Sequence, residues 1–344
     1  MTPQPPPQVL VTGSSGHLGT ALMLSLPSHN LPPIGIDTLP STTTTHVGSI
    51  TDRPFIASIL AQNPSIRHII HVATLHKPHV DSHPKSAFVD VNILGTLNLL
   101  EEASSLRDAD GNPRIASFVF TSTTSTFGKA LSPRPGDPAA WIDESVVPIP
   151  KNIYGVTKVA AEDMCRLVHS QTGMPTVVLR TSRFFPEEDD DEDRRNAMGD
   201  ENLKVLELAY RRADVADIVS ACVCATRKAG DIGWGKYIIS APPPFPRDDA
   251  EVLRRLDQDA AGVLRECVPG IDKVFAAQGW KFLDRIDRVY DSAKAVRDLG
   301  WQPEHTIENA VKKIAQGDDW RSPLTYKVGK KGYHAVSTGV YTSR

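Results

Sequence analysis

Short apolar runs rich in β-branched residues alternate along the chain with segments of helical periodicity, and this alternation constrains the fold more than any other feature. Residues 9–12 (VLVT), 34–37, 67–72, 116–121 and 175–180 read as strands, mostly buried on both faces. Apolar residues at helical spacing fill about 18–26, 54–60, 84–105 and 153–171 between them. Strands without a polar face need helices on both sides, so the pattern predicts βαβ units, a parallel sheet and right-handed crossovers. The first half is therefore predicted as a doubly wound α/β domain.

The regularity fails after Arg180. Seven consecutive acids, Glu187 to Asp193, repel one another and read as a solvated loop rather than a cation site of known geometry. Helices are expected near 201–212 and 214–227, a strand at 236–240 and a late helix at 292–299. The predicted organisation is a cofactor-type domain over 1–182 with contributions from about 213–240. A smaller mixed α/β lobe for the substrate takes 183–212 and 241–320, and 321–344 is a polar tail.

Composition removes whole classes of function. With 38 Lys and Arg against 41 Asp and Glu, the net charge of −3 provides no global positive field for nucleic acid or an anionic membrane. No apolar run approaches the roughly 18 residues of a membrane span. The start, Met1-Thr-Pro-Gln-Pro-Pro-Pro-Gln8, lacks the charged and apolar regions of a secretion signal. Cys165, Cys222, Cys224 and Cys267 form no paired CxxC framework, which favours a reducing compartment, and the expected location is the cytoplasm. Cys222 and Cys224, two apart in an apolar helix, point in different directions and read as packing residues.

Two local patterns carry chemistry. Gly13-Ser-Ser-Gly16-His-Leu-Gly19 lies between a strand and a helix, where small residues let a pyrophosphate approach the free N–H groups of the helix start. Asp37, ending the second strand, can accept both hydroxyls of an adenosine ribose and repels a 2′-phosphate, which selects NAD over NADP. A tight turn with a surface carboxylate is the plainer alternative. Tyr154 and Lys158 stand four apart on one helix face, so the ammonium would favour the phenolate of a side chain whose ordinary pKa is about 10. That makes Tyr154 a candidate acid and base, although Tyr and Lys at this spacing also occur on ordinary helices. Upstream, Phe120-Thr-Ser-Thr-Thr-Ser-Thr126 places hydroxyls at the carboxyl end of a parallel strand, where such sheets bind ligands.

In these motifs the chain resembles the extended short-chain dehydrogenase/reductases, in the NAD-dependent epimerase/dehydratase group. The shared elements are Gly13, Gly16, Gly19 and Asp37, then His68-Ile-Ile-His-Val-Ala73, Asp90-Val-Asn92-Ile-Leu-Gly95-Thr96, Phe120-Thr-Ser-Thr123 and Tyr154-Gly-Val-Thr-Lys158. Asp214-Val-Ala-Asp217 and Asp298-Leu-Gly-Trp301-Gln-Pro303 complete a match over about 9–315. The resemblance implies a Rossmann-type fold, NAD as cofactor and a homodimer formed through the long helices near 84–105 and 153–171. It implies that Tyr154 takes a proton from a substrate hydroxyl as hydride passes to the nicotinamide, and that Lys158 holds the nicotinamide ribose and lowers the tyrosine pKa. Thr123 would orient the substrate oxygen, with Ser122 as its neighbour. Ser15, His17, Leu18, Ser49, Ile50, Val72, Ala73, Thr74 and Thr121 would join the glycines and Asp37 around the cofactor. Asn92 would sit against the active-site face, or serve only the core.

Two departures from the family pattern bear on the substrate. Nucleotide-sugar members carry an Asn shortly after the sixth strand, and Arg183 stands at the matching position. They also insert a long segment before the Asp-Val-Ala motif, whereas Arg183 and Asp214 lie only about thirty residues apart, too few for it at usual loop and helix lengths. A substrate smaller than a nucleotide sugar is expected, with Thr123, Thr124, His76 and Arg183 as candidate contacts, Arg183 toward an anion. His76, His79 and His83 would need a helix to converge on zinc, and Pro78 and Pro84 break one, so no metal is expected. The leading expectation is an oxidoreductase or isomerase acting on a sugar or sugar-acid hydroxyl. The alternatives are a dehydrogenase of a non-sugar alcohol or ketone and a non-catalytic NAD sensor.

Overall fold

The computed structural model describes residues 6–185, 192–247, 249–329 and 331 of the 344. Its strands in the first half are β1 (Val9–Thr12), β2 (Pro33–Asp37), β3 (His46–Val47), β4 (His68–His71), β5 (Ser117–Thr123) and β6 (Ala140–Ile142). Beyond these come β7 (Thr176–Thr181), β8 (Arg183–Phe184), β9 (Arg212–Ala213), β10 (Trp234–Ile239) and β11 (Arg288–Tyr290). Seven of them form a wholly parallel sheet in the order β10-β7-β5-β4-β1-β2-β3. The direction of winding reverses between β1 and β4, and the carboxyl ends there open a crevice.

Alternation within the strands builds the core on both sides of the sheet. Val9 and Val11, Val119, Val177 and Leu179 face the helices His17–Ser25 and Val215–Ile232. Leu10, Phe118, Phe120 and Val178 face the opposite layer, which contains Arg53–Gln62, Gly95–Ser105 and Ile153–Thr172. The helix expected over 84–105 is interrupted: Lys85–Phe88 passes through a six-residue π-helix, Val89–Leu94, before the α-helix resumes. Such a bulge displaces side chains from the regular helical stripe and is frequent at functional sites.

A separate apolar cluster joins Phe185 and Leu203–Tyr210 to the helices Ala250–Gln258, Ala260–Cys267 and Ile271–Gln278. This lobe is tied to the loop after β5 by the parallel pair β6 and β11, and β8 pairs with β9 at its neck. The Asp214 and Trp301 motifs meet in space. Trp301, wholly buried, donates Nε1–H to the Asp217 carbonyl oxygen (3.0 Å), and Asp217 accepts from the backbone N–H of Glu304 and His305. Within the stretch read as a polar tail, Pro323–Val328 is a helix that packs Val328 into the first core. Asp214 holds it by accepting from Ser322 N (2.9 Å) and Thr325 Oγ1 (3.2 Å). Residues 187–191 of the acidic run lie outside the described residues. Glu192–Met198 forms a helix. All four cysteines are free thiols, and among the described residues no helix is long and apolar enough to cross a membrane.

Candidate active site

A cleft of about 950 Å³ runs along the carboxyl ends of the central strands. At one end lies the glycine turn. Gly13 has φ +71°, and a Cβ there would fall 2.7 Å from the Ala73 nitrogen; at Gly19 it would fall 1.9 Å from the Gly13 carbonyl oxygen. Glycine therefore serves two needs, a left-handed backbone at Gly13 and the close approach of helix to turn at Gly19. The helix His17–Ser25 starts at Gly16 with no side-chain cap and no acid in its first turn, leaving its first amides for an anion. Asp37 is fixed at the end of β2, accepting from Ser15 N (3.0 Å) and Leu39 N (2.9 Å), and lines the same cleft.

Residues present in the cleft fit a dinucleotide. Two buried polar atoms of its lining, His17 Nε2 and Thr121 Oγ1, have no hydrogen-bond partner among the described residues, which is the state expected of groups that meet a ligand. Burial, with the charge of Lys331 adding to it, pushes the His17 imidazole down to about 3, so the ring is neutral and lies against Phe184 at 5.1 Å between centroids. Ser15, Leu18, Ser49, Ile50, Val72, Ala73 and Thr74 also line the cleft.

At the other end, the helix Ile153–Thr172 begins on Asn152, whose side chain accepts from Gly155 N (3.0 Å), and this cap points its first turn into the cleft. Tyr154 lines the cleft together with Thr121, Ser122, Thr123 and Thr124. Thr123 ends β5 and its hydroxyl accepts from Ser125 N (3.1 Å), which fixes the rotamer. Lys158 stands behind the wall. Its Nζ donates to the Thr121 carbonyl oxygen (2.6 Å) and lies 4.0 Å from the centre of the Phe120 ring. Burial lowers its pKa to about 7, opposed by the charge of Glu162. Ser122 contributes to the lining, but its hydroxyl is engaged behind the wall, donating to Glu162 at 2.6 Å.

Asn92 does not line the cleft and acts as a tie. From the π-helix its Nδ2 donates to Leu75 O (2.9 Å) and Thr157 Oγ1 (3.0 Å), while its Oδ1 accepts from Thr74 Oγ1 (2.9 Å) and Leu75 N (2.8 Å). The loop after β4 is thereby fastened to the Tyr154 helix. A second tie was missed in the sequence. Thr96 Oγ1 gives its one hydrogen to Asn92 O (2.7 Å), so His71 Nε2 donates to it (2.9 Å), and His71 Nδ1 accepts from Thr12 Oγ1 (2.7 Å). The tautomer is set by its neighbours, and burial holds this imidazole well below its ordinary pKa. Thr12 Oγ1 in turn accepts from Val72 N and Ala73 N (3.1 Å each), shaping the cofactor wall.

The cleft is also walled by His76, Arg183 and Tyr290, with Arg211 and Arg288 from distant parts of the chain. His76, His79 and His83 stack edge to face in series, at 4.5 and 5.0 Å between centroids. Among the described residues, no group of three or more His, Cys, Asp or Glu could hold a metal ion.

Known proteins resemble this chain in sequence and in fold. The sequence pattern of the NAD dependent epimerase/dehydratase family matches residues 9–233. The chain is 30% identical over 179 residues to UDP-glucose 4-epimerase of Rhizobium meliloti (strain 1021), a match spanning half of each protein. It is 27% identical to dTDP-glucose 4,6-dehydratase 1 of Escherichia coli (strain K12), over 98% of this chain and 97% of the relative. Among solved structures, the UDP-glucose 4-epimerase of Thermotoga maritima with UDP-glucose superposes with a TM-score of 0.60 at 19% identity, covering 90% of this chain and 97% of that one. The glycine turn, Asp37 and the Tyr154 helix thus lie in a chain that belongs to the NAD-dependent epimerase/dehydratase family of enzymes, with NAD as its cofactor.

Proposed function

We propose that the protein oxidises a hydroxyl of a polar, anionic sugar or sugar acid, with Tyr154 taking the hydroxyl proton. The observation that carries this reading is the meeting of Tyr154 and Thr123 with the glycine turn in one cleft, the Lys158 ammonium being fixed directly behind it. Bound NAD supplies the hydride acceptor. Tyr154 Oη receives the proton, the Thr123 hydroxyl holds the substrate oxygen, and Lys158, when charged, favours the phenolate. Hydride lost from the same carbon leaves a ketone. An epimerase would restore the hydroxyl on the opposite face, and a dehydrogenase would release the oxidised product together with reduced cofactor.

The charges at the substrate end favour an anion. Arg183, Arg211, Arg288, Lys77 and Lys151 outnumber Asp81 and Asp287, although Arg211 is paired with Glu207 and Arg288 with Asp287. This lining disfavours an apolar alcohol. The short stretch between Arg183 and Asp214 supports a sugar acid without a nucleotide. A panel of uronic acids, free sugars and nucleotide sugars, followed for NADH and for isomers, separates these substrates and both fates. Tyr154→Phe should lower kcat about 10²–10⁴-fold with NAD binding by calorimetry unchanged; full activity in that variant would refute the assignment.

We also propose a homodimer. Val156 and Leu167, three helical turns apart on the Tyr154 helix, are 49% and 53% exposed, and Val89 and Leu94 on the preceding helical stretch are similarly open. Together these positions supply an unpartnered apolar face.

A further inference from the structure

Behind the cleft lies a buried charge that the proposed reaction does not use. Tyr154, Lys158 and Glu162 form one stripe at four-residue spacing on the helix Ile153–Thr172, and the Glu162 side chain is wholly buried. An ionised carboxylate withdrawn from water is costly, and a well-packed apolar residue would serve stability as well. Three neighbouring strands nevertheless converge on it. Ser122 of β5 donates Oγ–H at 2.6 Å, Arg180 of β7 donates Nε–H (3.0 Å) and Nη2–H (2.7 Å), and Lys236 of β10 donates from Nζ at 3.0 Å. Ser122 and Arg180 are register partners, and Lys236 stands two residues before Ile238, the partner of Arg180 on β10, so one carboxylate gathers side chains from three adjacent strands.

We propose that Glu162 is the counter-charge and positioning residue of the Tyr154–Lys158 pair, acting through Lys158 one helical turn before it and through Ser122 on β5. The inference rests on the reading of Tyr154 and Lys158 as the acid–base pair. Ser122 lies between Thr121, whose carbonyl receives the Lys158 ammonium, and Thr123, which faces the substrate. Its bond to Glu162 therefore holds both neighbours in place. The electrostatics act in the same sense. Burial pushes the Glu162 carboxyl up, but hydrogen bonding and charge from Arg180, charge from Lys236 and the Ser122 hydrogen bond outweigh it, and the group is held below its ordinary range as an anion.

The titratable groups facing Lys158 are Tyr154, Glu162 and Cys165 on its own helix and His71 on β4; Arg180 of β7 and Lys236 of β10 stand beyond Glu162. His71 is neutral, and burial raises the Cys165 thiol out of the titrating range. Glu162 is thus the anion that offsets the burial of Lys158. Without it the lysine would face Arg180 and Lys236 unbalanced and give up its proton at lower pH, withdrawing support from the Tyr154 phenolate.

The test is the titration of Lys158 itself, read by NMR in the full chain labelled with ¹³Cε-lysine and assigned with a Lys158→Met control. Glu162→Gln should lower the midpoint, the direction expected when an opposite charge is lost. Lys236→Gln should raise it. Opposite signs do not arise from general loosening, and Lys236, partly exposed, keeps the test alive if Glu162→Gln does not fold. In kinetics, Glu162→Gln should lower kcat and move the acidic limb of its pH profile upward, leaving KM for NAD nearly unchanged. An unchanged or raised midpoint in folded Glu162→Gln, or an unchanged or lowered one in Lys236→Gln, overturns the proposal. This readout needs no turnover, so it stands apart from the Tyr154→Phe result.

Discussion

Gly19→Ala sets two magnitudes against each other. In a helix, alanine is favoured over glycine by about 1 kcal/mol. At this position, however, the new Cβ would lie 1.9 Å from the Gly13 carbonyl oxygen, 2.7 Å from the Gly13 carbonyl carbon and 2.8 Å from Ser14 Cα. All three are backbone atoms, so no rotamer change relieves the clash. Ordinary contact begins at 3.4 Å, and the helix and turn must part by more than an ångström. Overpacking of this kind costs about 1–3 kcal/mol, and with the backbone fixed on both sides the upper part of that range applies, so the clash outweighs the propensity gain. The net loss of about 1–2 kcal/mol corresponds to a Tm lower by roughly 2–8 °C. The same displacement misaligns the uncapped amides at the start of the helix His17–Ser25, which would face a pyrophosphate. Loss of one or two such bonds, at about 1.5–3 kcal/mol for a charged acceptor, raises the Kd for NAD at least tenfold. Thermal unfolding with and without NAD, together with calorimetric titration, reads both effects. A variant with wild-type Tm and Kd would show that the close approach of helix to turn does not organise the cofactor site.

Asp37→Ala removes the carboxylate at the ribose end and the acceptor that fixes Ser15 N. The Kd for NAD should rise roughly 10- to 100-fold while NADP gains ground, measured by parallel titrations; unchanged preference would refute the role of Asp37. For the proposed dimer, Val156→Glu should convert a dimer to a monomer in sedimentation velocity, and a wild-type monomer at micromolar concentration would end that proposal.

The sheet was legible because its strands are buried on both faces, and a run such as VLVT at 9–12 has no competing reading once a glycine turn and a helical segment follow it. The cofactor end was legible for a related reason: Gly13, Gly19 and Asp37 answer backbone and charge demands that few other residues meet. The rest of the cleft was legible only in part: His76, Thr123, Thr124 and Arg183 were singled out in the sequence, but Arg288 and Tyr290 were not. Arg288 and Tyr290 reach the cleft only because β11 pairs with β6, and two three-residue strands carry too little periodicity to announce a pairing so distant in sequence. The π-helix was also hidden, since Val89–Leu94 keeps an apolar spacing close to that of an α-helix, and the tying role of Asn92 depends on the bulge. Glu162 could have been noticed as the third member of the Tyr154 stripe, but its partners lie on three strands whose register only the folded chain reveals.

The pairing of β6 with β11 has a consequence for how the protein is made. The glycine turn, Asp37 and the seven strands of the central sheet have all been synthesised once Ile239 is added, whereas Asp287, Arg288 and Tyr290 of the substrate wall come later. At roughly 5–20 residues per second on the ribosome, about 3–10 seconds separate the two. The nascent chain can therefore meet its cofactor before it has a wall to hold a substrate. Faults in β11 would then leave a protein that keeps NAD but saturates poorly with substrate.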